Sequence, residues 1–291
     1  MKQRPFGTTG WQVGAIGLGG MPMSVKADRP DEDESIAVIH HAIDCGVTLI
    51  DTADSYCLDD TEPGHNERLI GKALALFSAS ARQDVYVATK GGLVRPEGRW
   101  ERCARPEHLR TVCEQSLANL QTDVVDIYQL HAPDPQVPVA DSIGELKRLQ
   151  EEGKIRHVAV SNFSVDELEL ALSIVPIVSI QNQYSPKCRR PEQDGTLASS
   201  EKLGVAFLPW SPLNGMSGAK QLGGSGNKLC DIAADHGVSV QQIVLAWHLS
   251  KGPHVIPIPG ASHKESIEDS AKADQVSLSS EEIAALDQLW Q

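Results

Sequence analysis

The sequence predicts an α/β protein: a (β/α)8 TIM barrel with an N-terminal β-hairpin and a C-terminal helix, forming one domain over residues 1–291. Three observations carry this. Short runs rich in Val and Ile recur eight times, without clean apolar–polar alternation, as suits parallel strands buried on both faces. Each run is followed by a longer segment with apolar residues at helical spacing. No shift in composition divides the chain, and barrels of this kind reach this length as single domains.

The elements follow in order. RPFGTTGWQVGAI holds two short extended stretches around a Gly/Thr-rich turn, a hairpin expected to cover one end of the barrel. The first barrel run begins at Ala15 (AIGLGG). After it, the acids of DEDES suit a helix N-terminus, Ile36, Ile39 and Ile43 share one face, and Gly46 closes the helix. Runs at Thr48 (TLID) and Val85 (VYVATK) come next. From Pro106, Leu109, Val112, Leu117 and Leu120 repeat the helical pattern, and the run at Val124 (VVDIYQLH) follows. From Pro138, Val139, Ile143, Leu146 and Leu149 mark a helix ended by Gly153, with Pro at the start and Gly at the stop. Runs at Ile155 (IRHVAVSN), Ile177 (IVSIQNQ), Val205 (VAFLPW) and Val255 (VIPIP) complete the eight. Further helices are expected at 196–203, 228–236, 240–249 and 263–272, with a terminal helix at 279–290. The Gly/Ser-rich stretch 214–228 reads as the most flexible loop.

Composition narrows the function. Apolar content of 41% is enough for a sizeable core, and aromatics at 4% make that core mostly aliphatic. A formal net charge of −13 argues against nucleic acid or an anionic membrane surface as the main partner. The opening MKQRPFGTTGWQV lacks the apolar run of a signal peptide, and no stretch approaches the roughly 18 apolar residues of a membrane span. Six scattered cysteines without a CxxC pair read as reduced thiols of a cytoplasmic protein, with no metal site.

In such barrels chemistry sits where strands finish. Reading off those positions gives Gly19-Gly20, Asp51, Lys90, His131, Ser161-Asn162, Gln181 with Gln183, Trp210-Ser211 and Pro259-Gly260. Solvent exposure accounts for some of these polar groups. An Asp, a Lys and a His at three successive strand ends, with Tyr56 just past the first, form a chemical set. A phenol is a poor acid–base catalyst near neutrality; an adjacent ammonium lowers its pKa, a carboxylate fixes the ammonium, and an imidazole bonds the phenol or a substrate oxygen. The set suits proton donation to a carbonyl oxygen. A hydride must then come from a cofactor, since no side chain supplies one.

The chain resembles the aldo-keto reductases over essentially its whole length. The resemblance is carried in order by GLGGM, GVTLIDTADSY, HNERLIGKAL, VATKGG, DIYQLHAPDP, GKIRHVAVSNF, IQNQYSP, PWSPL and VIPIPG. It implies a catalytic tetrad of Asp51, Tyr56, Lys90 and His131, with Tyr56 as general acid. It implies NADPH (NADP+) as cofactor, with NADH possible, bound without a Rossmann domain; GLGG is not that fingerprint. Gly20, Met21 and Asp51 would border the cofactor, and Ser161, Asn162 and Gln183 would hold the nicotinamide carboxamide. Trp210 would stack on the nicotinamide ring. Ser211, Leu213 and Gly215 would pass the pyrophosphate, and Gly260, Ser262, Ser266, Asp269 and Ser270 would hold the adenosine ribose and its phosphate. The partner implied is a small-molecule carbonyl substrate.

The chain also departs from the family's pattern. Many members carry Lys or Arg near 261 or 262 for the 2′-phosphate; here Ala261-Ser262 precede His263-Lys264. Ser270 stands where many have Asn, and Asp269 where many have Glu. The segment CLDDTEPGHNE is longer than usual, and its acids Asp59, Asp60 and Glu62 are expected to border the substrate pocket. The 214–228 loop is short for one that clasps a cofactor. Trp100 is either a pocket wall or a surface residue. Two other functions fit the same residues: a cofactor-sensing regulatory subunit, like the potassium-channel β-subunits, and a Schiff-base lyase using Lys90. Substrate identity and oligomeric state are not legible in the sequence, because specificity in this fold lives on the loops 22–32, 57–65, 93–104 and 212–228.

Overall fold

A computed structural model describes residues 1–223 and 228–290. The centre of the loop expected to be flexible, 224–227, lies outside the described residues. The N-terminal hairpin pairs β1 (Gln3–Pro5) with β2 (Gln12–Gly14), antiparallel. The barrel strands are β3 (Leu18–Gly19), β4 (Leu49–Asp51), β5 (Tyr86–Gly91), β8 (Val125–Leu130), β9 (Ile155–Ser161), β10 (Ile177–Gln183) and β11 (Ala206–Trp210). They form one parallel sheet in chain order from β3 to β11. A second small hairpin, β6 (Leu93–Val94) with β7 (Glu101–Arg102), rises from the end of β5.

The eighth run, at 255–260, is present without a regular ladder, and its prolines explain why. Ile256 N–H donates to Phe207 O at 2.9 Å and Ile258 N–H to Pro209 O at 3.3 Å, which joins the run to β11. On the other side the run only accepts: Gly17 N–H reaches Pro257 O and Gly19 N–H reaches Pro259 O. Pro257 and Pro259 have no N–H to return. The barrel therefore closes through parallel bridges, Phe207 to Val255 and Gly19 to Gly260.

Helices wrap the sheet: α1 (Glu32–Asp44), α2 (His65–Ala75), α3 (Ala79–Arg82), α4 (Pro106–Leu120), α5 (Val139–Glu151), α6 (Val165–Ile174), α7 (Arg190–Gln193) and α8 (Thr196–Lys202). The remainder are α9 (Gly215–Gly218), α10 (Lys228–His236), α11 (Val240–Leu249), α12 (Lys264–Ala271) and α13 (Ser280–Leu289). Their limits are written locally. Asp31 with Glu34, Ser164 with Glu167 and Ser279 with Glu282 form capping boxes at α1, α6 and α13. Helix α2 hid its pattern because Asn66 and Glu67, both fully buried, occupy core-facing positions beside Leu69, Ile70, Ala73 and Leu74.

The core has two layers. Between sheet and helices lies a large aliphatic layer that includes Ile50, Val87, Leu146, Val160, Phe207 and Val244. Inside the barrel, Leu49, Ala88, Ile127, Ala159, Val178 and Ala206 point inward, and the hairpin adds Phe6 and Val13. Leu49 and Ala206 are the first residues of their strands. The hairpin thus plugs the end where strands begin and leaves the opposite end to the chemistry. Among the described residues, no helix is long and apolar enough to cross a membrane.

The plug gives a stability test. Phe6 is fully buried, so Phe6→Ala leaves a cavity in the barrel floor and is expected to cost about 3–5 kcal/mol by urea unfolding. A loss under about 1 kcal/mol would mean that the hairpin does not close the barrel.

Candidate active site

Four predicted side chains meet where β4, β5 and β8 end. Lys90 closes most of β5, is fully buried, and directs its three donors at three acceptors. Its Nζ donates to Asp51 Oδ1 at 2.6 Å, Thr52 O at 2.9 Å and Tyr56 Oη at 2.9 Å. Asp51 is 2% exposed, and its second oxygen accepts from Gln181 Nε2 at 2.7 Å and Gln129 Nε2 at 3.1 Å. The pair is desolvated and almost saturated by hydrogen bonds, the condition under which a buried ion pair is tolerable.

Tyr56 reaches Lys90 because the turn after β4 is stitched to β5. Thr52 N–H donates to Ala88 O, Asp54 N–H to Lys90 O, and Gly64 N–H to Asp54 O. His131 follows β8, and its ring lies 5.8 Å from the Tyr56 ring in an edge-on arrangement. Ser55 Oγ lies 3.5 Å from His131 Nδ1.

Burial dominates the electrostatics. It raises the Tyr56 phenol above its ordinary value; the Lys90 ammonium opposes this, and the Asp51 charge adds to it. Lys90 lowers the phenol pKa as expected and thereby offsets burial without overcoming it. Burial also works against the Lys90 ammonium, but the charge of Asp51 and the bonds to Asp51 and Tyr56 leave its pKa raised. His131 is held well below the usual imidazole range by burial and by the positive charge of Lys90. Near neutrality the site holds a protonated phenol, an ammonium and a neutral imidazole. Asp54 is buried, with Oδ1 lacking a hydrogen-bond partner among the described residues, and burial followed by the charge of Glu67 pushes its carboxyl well up.

A second group surrounds Asn162, at the end of β9. Its side chain donates to His131 O at 3.0 Å and Ser161 Oγ at 3.1 Å, and accepts from Trp210 Nε1 at 3.1 Å. The nicotinamide-side candidates are thus tied to one another and to His131. Gln183 is exposed and pairs in register with half-buried Trp210. Asn162, Ser211 and Asn214 adopt left-handed backbone, with φ of 60°, 50° and 65°. Such conformations cluster at ligand-binding rims, where surrounding structure enforces them.

A third group lies at the barrel seam. Gly20 precedes Met21, which opens a short 3-10 turn, and a Cβ at Gly20 would sit 2.4 Å from Asn66 Oδ1. A Cβ at Gly260 would sit 2.6 Å from Pro22 Cγ. Leu213 is half-buried and Gly215 starts α9. Ser262 is half-buried, Ser266 is exposed and Ser270 is buried on α12. Asp269 has both oxygens engaged, by Ser239 Oγ at 2.7 Å and Gln242 Nε2 at 2.6 Å, which makes it a link to α11. His263 and Lys264 are exposed at the start of α12.

The acidic insertion behaves differently from expectation. Glu62 pairs with Arg29 through both oxygens and accepts from Leu58 N–H, and the hydrogen bond from Arg29 pulls its pKa down to about 2. Asp59 accepts from Thr61 N–H and Oγ1. These two acids brace the loop. Trp100 resolves as a pocket residue that is also open: it is 47% exposed, with its ring 6.4 Å from both Tyr56 and His131. Gln129, Asn66 and Glu67 were missed; the signal for Gln129 was a buried amide between Tyr128 and Leu130 in β8.

Comparison with known proteins agrees over the chain's length. The family model described as the aldo/keto reductase family matches residues 15–291. An uncharacterised oxidoreductase of Schizosaccharomyces pombe is 36% identical over 280 residues, which is 95% of this chain and 86% of that protein. A thermostable aldo-keto reductase solved with the inhibitor epalrestat is 35% identical, with a TM-score of 0.83 over 99% of this chain and 100% of that one. An aldo-keto reductase from Klebsiella pneumoniae solved with NADPH is 28% identical, with a TM-score of 0.83 over 100% of this chain and 95% of that one.

The buried pair predicts an asymmetric stability response. Lys90→Met strands the Asp51 carboxylate and is expected to cost about 3–5 kcal/mol by urea unfolding. The double variant Lys90→Met/Asp51→Asn should be less destabilised than Lys90→Met alone. Additive losses would mean that the two charges are not coupled.

Proposed function

The chain belongs to the aldo/keto reductase family, and on that premise we propose that it is an NADPH-dependent reductase of aldehydes and ketones with Tyr56 as general acid. The observation that carries the reading is Lys90 Nζ, donating at once to Asp51 and to the Tyr56 hydroxyl beside His131.

The residues present fit a nicotinamide cofactor. Relatives solved with NADPH and with NADP and acetate support NADP(H) as that cofactor. The Asn162 amide, pinned by Trp210 and Ser161, offers the free lone pair of Oδ1 to a carboxamide, with exposed Gln183 nearby in register. Trp210 offers a ring face. Ser211, Leu213 and Gly215 would flank the pyrophosphate. Gly20, Met21 and Gly260, with no room for a side chain at either glycine, let backbone approach the cofactor. Ser262, Ser266 and Ser270 would serve the adenosine end, with Asp269 holding α12 in place. Lys264, with the His263 ring beside it, would supply the positive charge for a 2′-phosphate. Bound NADPH supplies the hydride that the carbonyl carbon receives.

The chain's own residues handle the proton. A carbonyl oxygen between Tyr56 and His131 accepts from both: the neutral imidazole donates a hydrogen bond without competing as the proton donor, and the phenol transfers its proton as the oxygen gains charge. Lys90 then stabilises the phenolate left behind, and Asp51 keeps Lys90 in place. The same arrangement counts against Lys90 as a Schiff-base nucleophile, since such an amine needs a lowered pKa and its lone pair. The regulatory-subunit reading shares these four residues, and slow turnover with tight cofactor and a stable protein complex would favour it.

Tyr56→Phe is expected to lower kcat by about 10²–10⁴-fold while NADPH affinity, measured by fluorescence titration, changes little. Retention of most turnover would remove Tyr56 from its role. The pH profile follows from the shifts: reduction should run level from about pH 6 to 8, with no inflection near the ordinary imidazole value of about 6.5. It should fall only at high pH, as Tyr56 loses its proton, while alcohol oxidation rises over the same range. An inflection near 6.5 that His131→Asn abolishes would contradict the neutral imidazole.

A further inference from the structure

Trp100 is held in place by a chain of contacts that the mechanism does not use. The Arg95 guanidinium carbon lies 4.0 Å from the Trp100 ring centroid, a cation–π stack. Arg95 is only 8% exposed, although it sits on a surface hairpin. Its Nε donates to Gly98 O at 3.1 Å, folding the β6–β7 turn back on itself, and Nη2 donates to Leu58 O at 2.9 Å. Its Nη1 is buried without a hydrogen-bond partner among the described residues. A cation so enclosed costs stability, and its position demands a reason beyond the turn.

The reason lies on both sides of it. Leu58 is fixed by Glu62, which accepts the Leu58 N–H and is itself clamped by Arg29. The hairpin base is fixed by Cys103 N–H to Gly92 O and by Ala104 N–H to Asp134 Oδ2. The acidic insertion thus braces the carbonyl that holds Arg95, and Arg95 holds the indole. The Tyr56, His131 and Trp100 rings stand nearly perpendicular to one another, with interplanar angles of 85°, 78° and 68°. The Trp100 ring stands beside the Tyr56 and His131 rings, and about half of it stays open to solvent.

We propose that Arg95 is a positioning residue that fixes Trp100 as one wall of the substrate site, and that the wall so fixed selects flat aromatic carbonyl compounds over straight-chain ones. A flat ring presenting its carbonyl to Tyr56 gains offset or edge-on contact with the indole, and a flexible chain gains no comparable geometry. The preorganised indole spares the ordering that a free tryptophan would require on binding. The inference rests on carbonyl reduction at Tyr56.

The test compares benzaldehyde with pentanal in the wild type, Trp100→Ala, Trp100→Phe and Arg95→Met, alongside calorimetric titration of benzamide into the NADP+ complex. Trp100→Ala should lower the benzaldehyde-to-pentanal ratio of kcat/KM about 10-fold, through KM, and Trp100→Phe should restore most of it. Arg95→Met should shift the ratio the same way, and adding it to Trp100→Ala should change the ratio no further. An unchanged ratio, or an additive double variant, overturns the proposal. If the wild type reduces neither aldehyde, the reductase reading fails by itself and benzamide decides the wall: weaker binding in Trp100→Ala and Arg95→Met supports it, and equal binding overturns it.

Discussion

A buried ammonium needs an acceptor for every proton, and Lys90 finds three within a few residues of one strand end. That requirement organises the open end of the barrel. Asp51 must end β4 one strand away, and Thr52 must turn its carbonyl inward. Gln129 and Gln181 must come from β8 and β10 to meet the second Asp51 oxygen. Four strands are thereby locked in register by a single charge. A lysine in this position is useful because the surrounding protein cannot relax away from it, so the phenol it touches has a fixed geometry before any ligand arrives.

The floor and the rim divide the work. The hairpin with Phe6 and Val13 supplies apolar volume below. Polar side chains are concentrated above and cross-link the strand ends: Asn162 with His131, Ser161 and Trp210, and Asn66 with Gly20 and Thr52. Left-handed backbone is concentrated on the same rim, at Asn162, Ser211 and Asn214. Local strain there is held by the rigid sheet beneath, a common division between scaffold and site.

The barrel was legible in the sequence because its signals are local. Val/Ile runs, capping residues and Gly stops each act within one turn or strand, and helices such as α10 and α11 matched their expected limits at both ends. That Asp51, Tyr56, Lys90 and His131 come together is legible because ionisable groups at successive strand ends are chemically complementary. What escaped depends on contacts distant in sequence. Gln129 reads as an ordinary strand residue until Asp51 is placed opposite it. Glu62 reads as an acid facing the pocket until Arg29 reaches across the insertion. The net acidity of Tyr56 is not legible in the sequence, because pairwise chemistry shows the lysine, whereas desolvation is a property of the finished fold. The eighth run has the apolar content of a strand, and only its proline spacing relative to its neighbours reveals that it cannot form a full ladder.

That closing run bears on the order of folding. It joins Gly19 to Gly260, near opposite ends of the chain, and does so with hydrogen bonds donated from one side only along β3. Contacts between distant residues carry the larger loop-closure cost, and a proline-interrupted edge offers few bonds to offset it. The sheet from β3 to β11 is able to assemble as an open curl, with Asp51, Lys90 and His131 already adjacent, before the seam is drawn shut. The group formed by Asp51, Tyr56, Lys90 and His131 is thus encoded early in the chain. The seam between Gly19 and Gly260 comes into being only when the last strand-like segment arrives.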